Sequence, residues 1–379
     1  MDHQALERID TEDGVSGWAD ARLRAVAEVL GAFARAEPSF TAQVAAYSHG
    51  EKVLDLWTGP SLDEGSLVCV FSVSKGLGAI CLGILIERGL IDPGAPVAEL
   101  WPEFAAAGKA RITVETVLSH RAGLIDVDGG LTWPELLDDE RAAQRLAAQR
   151  PLWKPDTAWG YHSLTMGVLM NELCRRATGG RSIQDFYEHE VRAPRGIDFY
   201  LGLPEELEHR VAPVRVPTYP LSVPTAPQLI DMMSGVILEP GLEAVANSRT
   251  SHAAGLPAAS GMASARGIAH LYAAVGSDLG DGRLLSDDTI AELGQVRSHG
   301  FDIVSGAPGR FGLVFQKPFH ERPFASYRAI GHDGAAGALG FFDPHDGLAF
   351  GYTTDTPAPL GGDRRADALA DAIRRALAV

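Results

Sequence analysis

The period of hydrophobic positions changes along the chain, and the changes outline its elements. Residues 18–36 carry Trp18, Leu23, Val26, Val29, Leu30 and Phe33 at helical spacing until Glu37-Pro38 ends the pattern, which predicts an N-terminal amphipathic helix. Residues 40–47 and 52–57 are short β-rich runs around Ser48-His49-Gly50-Glu51, a hairpin signal. A nearly unbroken apolar run at 77–90 reads as a buried helix, and 164–173 predicts another. Strand-like runs return at 310–319, 327–330, 338–343 and 348–354, and an amphipathic helix over 364–377 ends the chain. The order helix, strands, long middle, strands, helix predicts an α/β (α+β) fold whose sheet is assembled from both ends of the chain, with terminal helices packed on it. The middle reads mainly helical, with Pro- and Gly-rich connections such as 204–227. The expectation is a discontinuous domain, 1–75 with 301–379, a helical domain at 76–300, and a cleft between them.

Chemistry concentrates where that middle begins. In Phe71-Ser72-Val73-Ser74-Lys75-Gly76, a serine three residues ahead of a lysine at a helix start places hydroxyl and amine on one face, so that the amine can take the hydroxyl's proton. The other four lysines, Lys52, Lys109, Lys154 and Lys317, have His49, Ala106, Pro151 and Val314 at that offset, so one such pair exists. Free N–H groups and the macrodipole at a helix start favour a nucleophilic oxygen there. The bland alternative is an N-cap serine beside a solvated lysine.

A lysine in water is protonated at neutral pH, so this chemistry needs a desolvated amine and a second group to relay protons. Tyr161 suits the relay: Trp159-Gly160-Tyr161-His162-Ser163-Leu164 follows a Pro155-Asp156 turn and precedes an apolar helix, a corner able to present a phenol and a hydroxyl to a cleft. A surface or core tyrosine is the competing reading. Near the far end, Ala329-Ile330-Gly331-His332-Asp333-Gly334-Ala335-Ala336-Gly337 has glycines on both sides of a strand edge, where a backbone can approach a ligand and its N–H groups can hold an oxyanion. A tight hairpin would need glycine as well. Trp133, Trp153 and Trp159 could line an acyl or acceptor pocket or pack in the core.

Composition narrows the classes. A chain of 379 residues, 46% hydrophobic, can bury a large core, and its 33 basic against 49 acidic residues give a net charge of −16 without a basic run. That balance argues against nucleic acid and anionic membranes as partners. Cys69, Cys81 and Cys174 lack a C-x-x-C or metal-ligand spacing and read as reduced core residues, with no metal or cofactor implied. The acidic start has no apolar signal region and no run reaches a membrane span, so a cytoplasmic location is expected.

Taken in order, these motifs resemble the serine β-lactamase/penicillin-binding-protein superfamily, and within it the class C-like branch of family VIII carboxylesterases and related acyltransferases. Ser72-Val73-Ser74-Lys75 matches the first motif, Tyr161-x-Ser163 the second and His332-Asp333-Gly334 the third, and residues 117–124 look like the stretch that follows the nucleophile helix. The resemblance runs from about residue 18 to the C-terminus and implies a β-lactamase/transpeptidase-like fold. It implies that Ser72 is acylated, that Lys75 is its base and that Tyr161 shuttles protons. The backbone N–H groups of Ser72 and Ala335, beside Gly334, would form the oxyanion hole. Ser163 and His332 would contact substrate or tune Lys75 and Tyr161. The expected activity is hydrolysis of small carboxylic esters. Acyl transfer to an amine or alcohol comes second, and D-peptidase, amidase or weak β-lactamase activity third. His332 and Asp333 stand where β-lactamases offer a lysine and a hydroxyl to a substrate carboxylate, which argues against β-lactams. No Gly-x-Ser-x-Gly elbow is present.

Overall fold

The computed structural model describes residues 6–215, 242–355 and 362–378. The first five residues of the acidic start, and the part of the 204–227 connection beyond residue 215, lie outside them. Twelve strands are described: β1 (Glu7–Asp10), β2 (Val15–Ala19), β3 (Ala42–Ser48), β4 (Glu51–Thr58), β5 (Val68–Cys69), β6 (Phe199–Tyr200), β7 (Met262–Ala263), β8 (Ser298–Phe301), β9 (Pro308–Phe311), β10 (Ile330–Asp333), β11 (Leu339–Asp343) and β12 (Leu348–Thr353). The helices that position the site are α1 (Arg24–Ala36), α2 (Val73–Glu87), α3 (Thr165–Thr178), α4 (Ala265–Gly276), α5 (Asp287–Gly294) and α6 (Arg364–Leu377).

Seven strands form an antiparallel sheet in the order β1-β2-β4-β3-β12-β11-β10, assembled from both ends of the chain as the hydrophobic period predicts. The seam is the β3–β12 pair, running from Leu348 opposite Ser48 to Thr353 opposite Gln43. On one face the apolar stripes of α1 (Val26, Leu30) and α6 (Leu369, Ile373) bury Leu54, Leu56 and Phe350. The other face receives α4, which comes from within the 76–300 stretch. A Cβ on Gly351 would stand 2.1 Å from the Ala265 carbonyl oxygen, so the strand lacks a side chain where the helix approaches.

α2 is buried from Val73 to Leu85, which explains its unbroken apolar sequence. Its small residues admit neighbours: a Cβ on Gly78 would meet Met170 of α3 at 2.8 Å, and one on Gly83 would meet Leu293 of α5 at 2.7 Å. A small sheet, β5-β7-β6, leads into α2. Cys69, Cys81 and Cys174 are buried and unpaired, as expected. Among the described residues, no helix is long and apolar enough to cross a membrane.

Three local expectations are corrected. Trp18 lies in β2, where Val15, Gly17 and Ala19 are buried in alternation with Ser16 and Trp18, and α1 begins only at Arg24. The 310–319 run is not one strand: β9 ends at Phe311, Val314 turns the backbone at φ 66°, and Gln316 then bridges to Gly331. The 327–330 run is mostly loop, with Tyr327 exposed, and the strand starting at Ile330 carries the His332-Asp333 motif on the sheet's edge.

Candidate active site

Ser72 is the residue ahead of α2, and its side chain caps nothing. Phe71 before it is held at φ 46°, a region costly for a bulky side chain, by about 1–3 kcal/mol. The surroundings enforce it: Ser74 donates to the Phe71 carbonyl and accepts from the Gly261 N–H at 2.9 Å, while Val70 donates to the Gly261 carbonyl at 2.9 Å. The second serine of the motif thus has a structural task.

Lys75 is fully buried one turn into α2. Its Nζ lies 2.9 Å from Ser72 Oγ and 2.8 Å from the Ala258 carbonyl oxygen. Burial lowers its pKa to about 7, with the Asp333 carboxylate working in the opposite direction. At neutral pH a large share of the amine is therefore an unprotonated base beside the hydroxyl. The Tyr161 ring stands 5.0 Å from Nζ. Burial raises the phenol above its ordinary pKa, a hydrogen bond with Ser72 partly offsets this, and Asp333 and Asp302 add to the rise.

The Tyr161 corner is anchored by two neutral histidines. His120, at φ 63°, accepts the Gly160 N–H on its carbonyl and the His162 N–H on Nδ1, both at 3.0 Å. His162 donates from Nδ1 to the Gly160 carbonyl at 2.7 Å and accepts the Leu124 N–H on Nε2 at 3.0 Å. Burial takes His162 down to about 4 and His120 well below its ordinary value, so both remain acceptors at neutral pH. The Tyr161 N–H itself donates to Asp302 Oδ1 at 3.1 Å.

β10 brings up the third group. His332 is buried, its Nδ1–H donates to the Asp333 carbonyl at 2.7 Å, and its ring centre lies 6.1 Å from that of Tyr161. Burial and nearby Lys75 lower its pKa to about 4, so it is a neutral imidazole. Asp333 is held by Arg322 and Gln316, each at 2.8 Å. A Cβ on Gly334 would stand 2.2 Å from the Val70 carbonyl oxygen, so glycine is what lets this turn close on the strand leading to Ser72. Gly334 donates its N–H to Ala338 at 2.8 Å, whereas the N–H groups of Ser72 and Ala335 donate no hydrogen bond among the described residues.

Ser72, Lys75 and Tyr161 thus meet, with His332 beside them and the Gly334-Ala335 turn against Val70. Ser163 is half-buried and makes no hydrogen bond to Lys75 or Tyr161 among the described residues, and the second partner of Lys75 is the Ala258 carbonyl instead. Trp133 is core, bonded to Ser251, and Trp159 is buried against His299, leaving Trp153 half-buried. Sequence reasoning missed Ala258 and Asp302. A backbone carbonyl has no residue signature, and Asp302 stands 141 positions from the residue it holds.

Residues 26–374 match the Beta-lactamase family model. The chain belongs to the beta-lactamase family. Esterase/beta-lactamase LipL of Mycobacterium tuberculosis (strain ATCC 25618 / H37Rv) is 33% identical, over 92% of this chain and 86% of that one. Among solved structures, EstA from Arthrobacter nitroguajacolicus Rue61a superposes with a TM-score of 0.88 at 42% identity, covering 95% of this chain and 98% of that one. A family VIII carboxylesterase superposes with a TM-score of 0.87 at 32% identity, covering 96% and 99%. The β-lactamase/transpeptidase-like fold and the branch expected from the motifs are both borne out. Membership of the beta-lactamase family also accounts for the sheet built from both chain ends, which carries β10 to the helix of Ser72.

Proposed function

We propose that the protein is a carboxylesterase that cleaves small, uncharged carboxylic esters through an acyl-enzyme on Ser72. The observation that carries this reading is Lys75: fully buried, 2.9 Å from the Ser72 hydroxyl, with its pKa lowered to about 7. In the unprotonated form Lys75 takes the Ser72 proton as Oγ attacks the ester carbonyl. The oxyanion is received by the Ser72 and Ala335 N–H groups. Tyr161, bonded to Ser72, passes a proton to the departing alkoxide and then takes one from the water that deacylates the enzyme, while Lys75 returns its proton to Ser72 Oγ as the acyl–oxygen bond breaks. The neutral His332 supplies an acceptor and no charge to the substrate, which favours uncharged esters. None of these steps calls on a metal or cofactor. The sheet domain, 1–75 with 301–379, and the insertion, 76–300, form the walls of the cleft in this reading. Three unpaired cysteines support a reducing, cytoplasmic setting.

An acyltransferase would use the same residues and differ only in the acceptor. The test is turnover of p-nitrophenyl butyrate with and without amine and alcohol acceptors, with products identified by mass spectrometry. Free butyrate regardless of acceptor is expected. Acceptor adducts that speed p-nitrophenol release would assign a transferase. Ser72→Ala is expected to abolish turnover while retaining the fold, and a Ser72→Ala enzyme that still turns over removes the mechanism.

A further inference from the structure

We infer that Asp302 is the positioning residue for Tyr161, tying the proton-relaying phenol to the β8–β9 hairpin. The inference rests on the esterase reading above. Asp302 lies just after β8 and is buried, with 5% of its surface exposed. Its carboxylate accepts the Val304 N–H at 2.8 Å, the Ser305 hydroxyl at 2.9 Å and the Tyr161 N–H at 3.1 Å. The first two bonds close its own turn, as an aspartate does in many loops. The third reaches across the chain to the backbone of the residue whose phenol meets Ser72.

The hairpin grips the same segment at two further points: Ile303 donates its N–H to the Trp159 carbonyl at 3.2 Å, and Trp159 Nε1 donates to the His299 carbonyl at 3.0 Å. Gly160 allows the contact, since a Cβ there would stand 2.6 Å from Val304 Cγ2 and 2.9 Å from Trp153. His120 holds the flanking Gly160 and His162 amides, which leaves Asp302 holding the amide of Tyr161 itself. Removing that acceptor orphans a backbone donor beside the phenol's own Cα and frees the ring to tilt. A misplacement of about 1 Å at a catalytic group is worth on the order of a hundredfold in rate.

The relay matters most when the leaving group is a poor one. An alkoxide needs the Tyr161 proton, whereas p-nitrophenolate leaves without it, so a displaced phenol should discriminate between two butyrate esters in kcat/KM, which reports acylation. The experiment measures kcat/KM for ethyl butyrate and p-nitrophenyl butyrate on full-length enzyme, normalised to the sites titrated by a fluorophosphonate. In Asp302→Ala, ethyl butyrate is expected to fall by roughly 30-fold and p-nitrophenyl butyrate by less than about 3-fold. Asp302→Asn, which retains an oxygen acceptor, should stay within about 3-fold of the parent on both esters. If Asp302→Ala yields no titratable enzyme, Asp302→Ser, whose hydroxyl is too short to reach Tyr161, is read by the same ratio. Equal losses on both esters, or no loss on either, would overturn the assignment. The esterase reading fails separately, by hydrolysis surviving in Ser72→Ala or by the fluorophosphonate labelling a residue other than Ser72.

Discussion

Lys75 is where burial becomes chemistry. A lysine ordinarily holds its proton to a pH above 10, and burial in α2 brings it down to about 7 against the pull of Asp333. In the proposed mechanism the active form is the unprotonated amine, so kcat/KM for an uncharged ester should rise with pH and reach half its plateau near 7. Its sign is opposite to that of a mechanism needing a cationic lysine, whose rate would fall through the same range. His162 and His332, lowered to about 4, stay neutral through this window and add no limb. A pH–rate profile for p-nitrophenyl butyrate that stays flat between about pH 5 and 9 would sink the role given to Lys75. Lys75→Arg, with a charge that cannot be shed, is expected to lose about two orders of magnitude or more even at high pH.

At the scale of elements, α2 and α4 meet on either side of a clash avoided by glycine. A Cβ on Gly76 would stand 2.1 Å from the Tyr272 hydroxyl of α4, and that buried hydroxyl has no hydrogen-bond partner among the described residues. Gly76→Ala should therefore destabilise by roughly 1–3 kcal/mol despite alanine's better helix propensity. Tyr272→Phe, which removes the obstructing oxygen, should restore most of the loss. Denaturant unfolding of the two single variants and the double variant measures the coupling, and strictly additive effects would show that the two side chains do not meet. The same elements show what a sequence can reveal. The apolar run of α2, the hairpin of β3 and β4, and the amphipathic α6 were legible because burial imposes its period directly on residue type. Trp18 was misread because a five-residue strand shows too few alternations to outweigh one helically spaced aromatic. Val314 was misread because nothing local marks a β-branched residue for a positive φ; that turn is held from outside by the Val314 N–H bonded to the Leu118 carbonyl. The site divides in the same way. Ser72, Lys75, Tyr161 and His332, which the structure brings together, are marked in the sequence by chemistry and spacing, whereas Ala258 and Asp302 join them through placements that only the folded chain creates.

Across the whole molecule, charge bears on which acyl compounds the proposed site would suit. The chain carries a net charge of −16, so an anionic substrate meets a repulsive field before it reaches the site. Within the site the balance is no better for an anion. Arg322, buried at the edge of β10, spends its guanidinium on Asp333 at 2.8 Å and also meets Asp367 of α6, His332 is neutral, and Lys75 is charged only in part at pH 7. A β-lactam carries a carboxylate that must be desolvated on entry, and leaving such a charge without a partner costs about 2–5 kcal/mol. A chromogenic cephalosporin should therefore show a kcat/KM at least about a thousandfold below that of p-nitrophenyl butyrate, the equivalent of about 4 kcal/mol. Salt separates the field from the site. Raising ionic strength from about 10 to 200 mM shortens the screening length below about 10 Å, which should raise the cephalosporin rate and leave the neutral ester within about 2-fold. A cephalosporin rate near that of the ester, with no response to salt, would mean that the pairing of Arg322 with Asp333 opens to receive the substrate carboxylate.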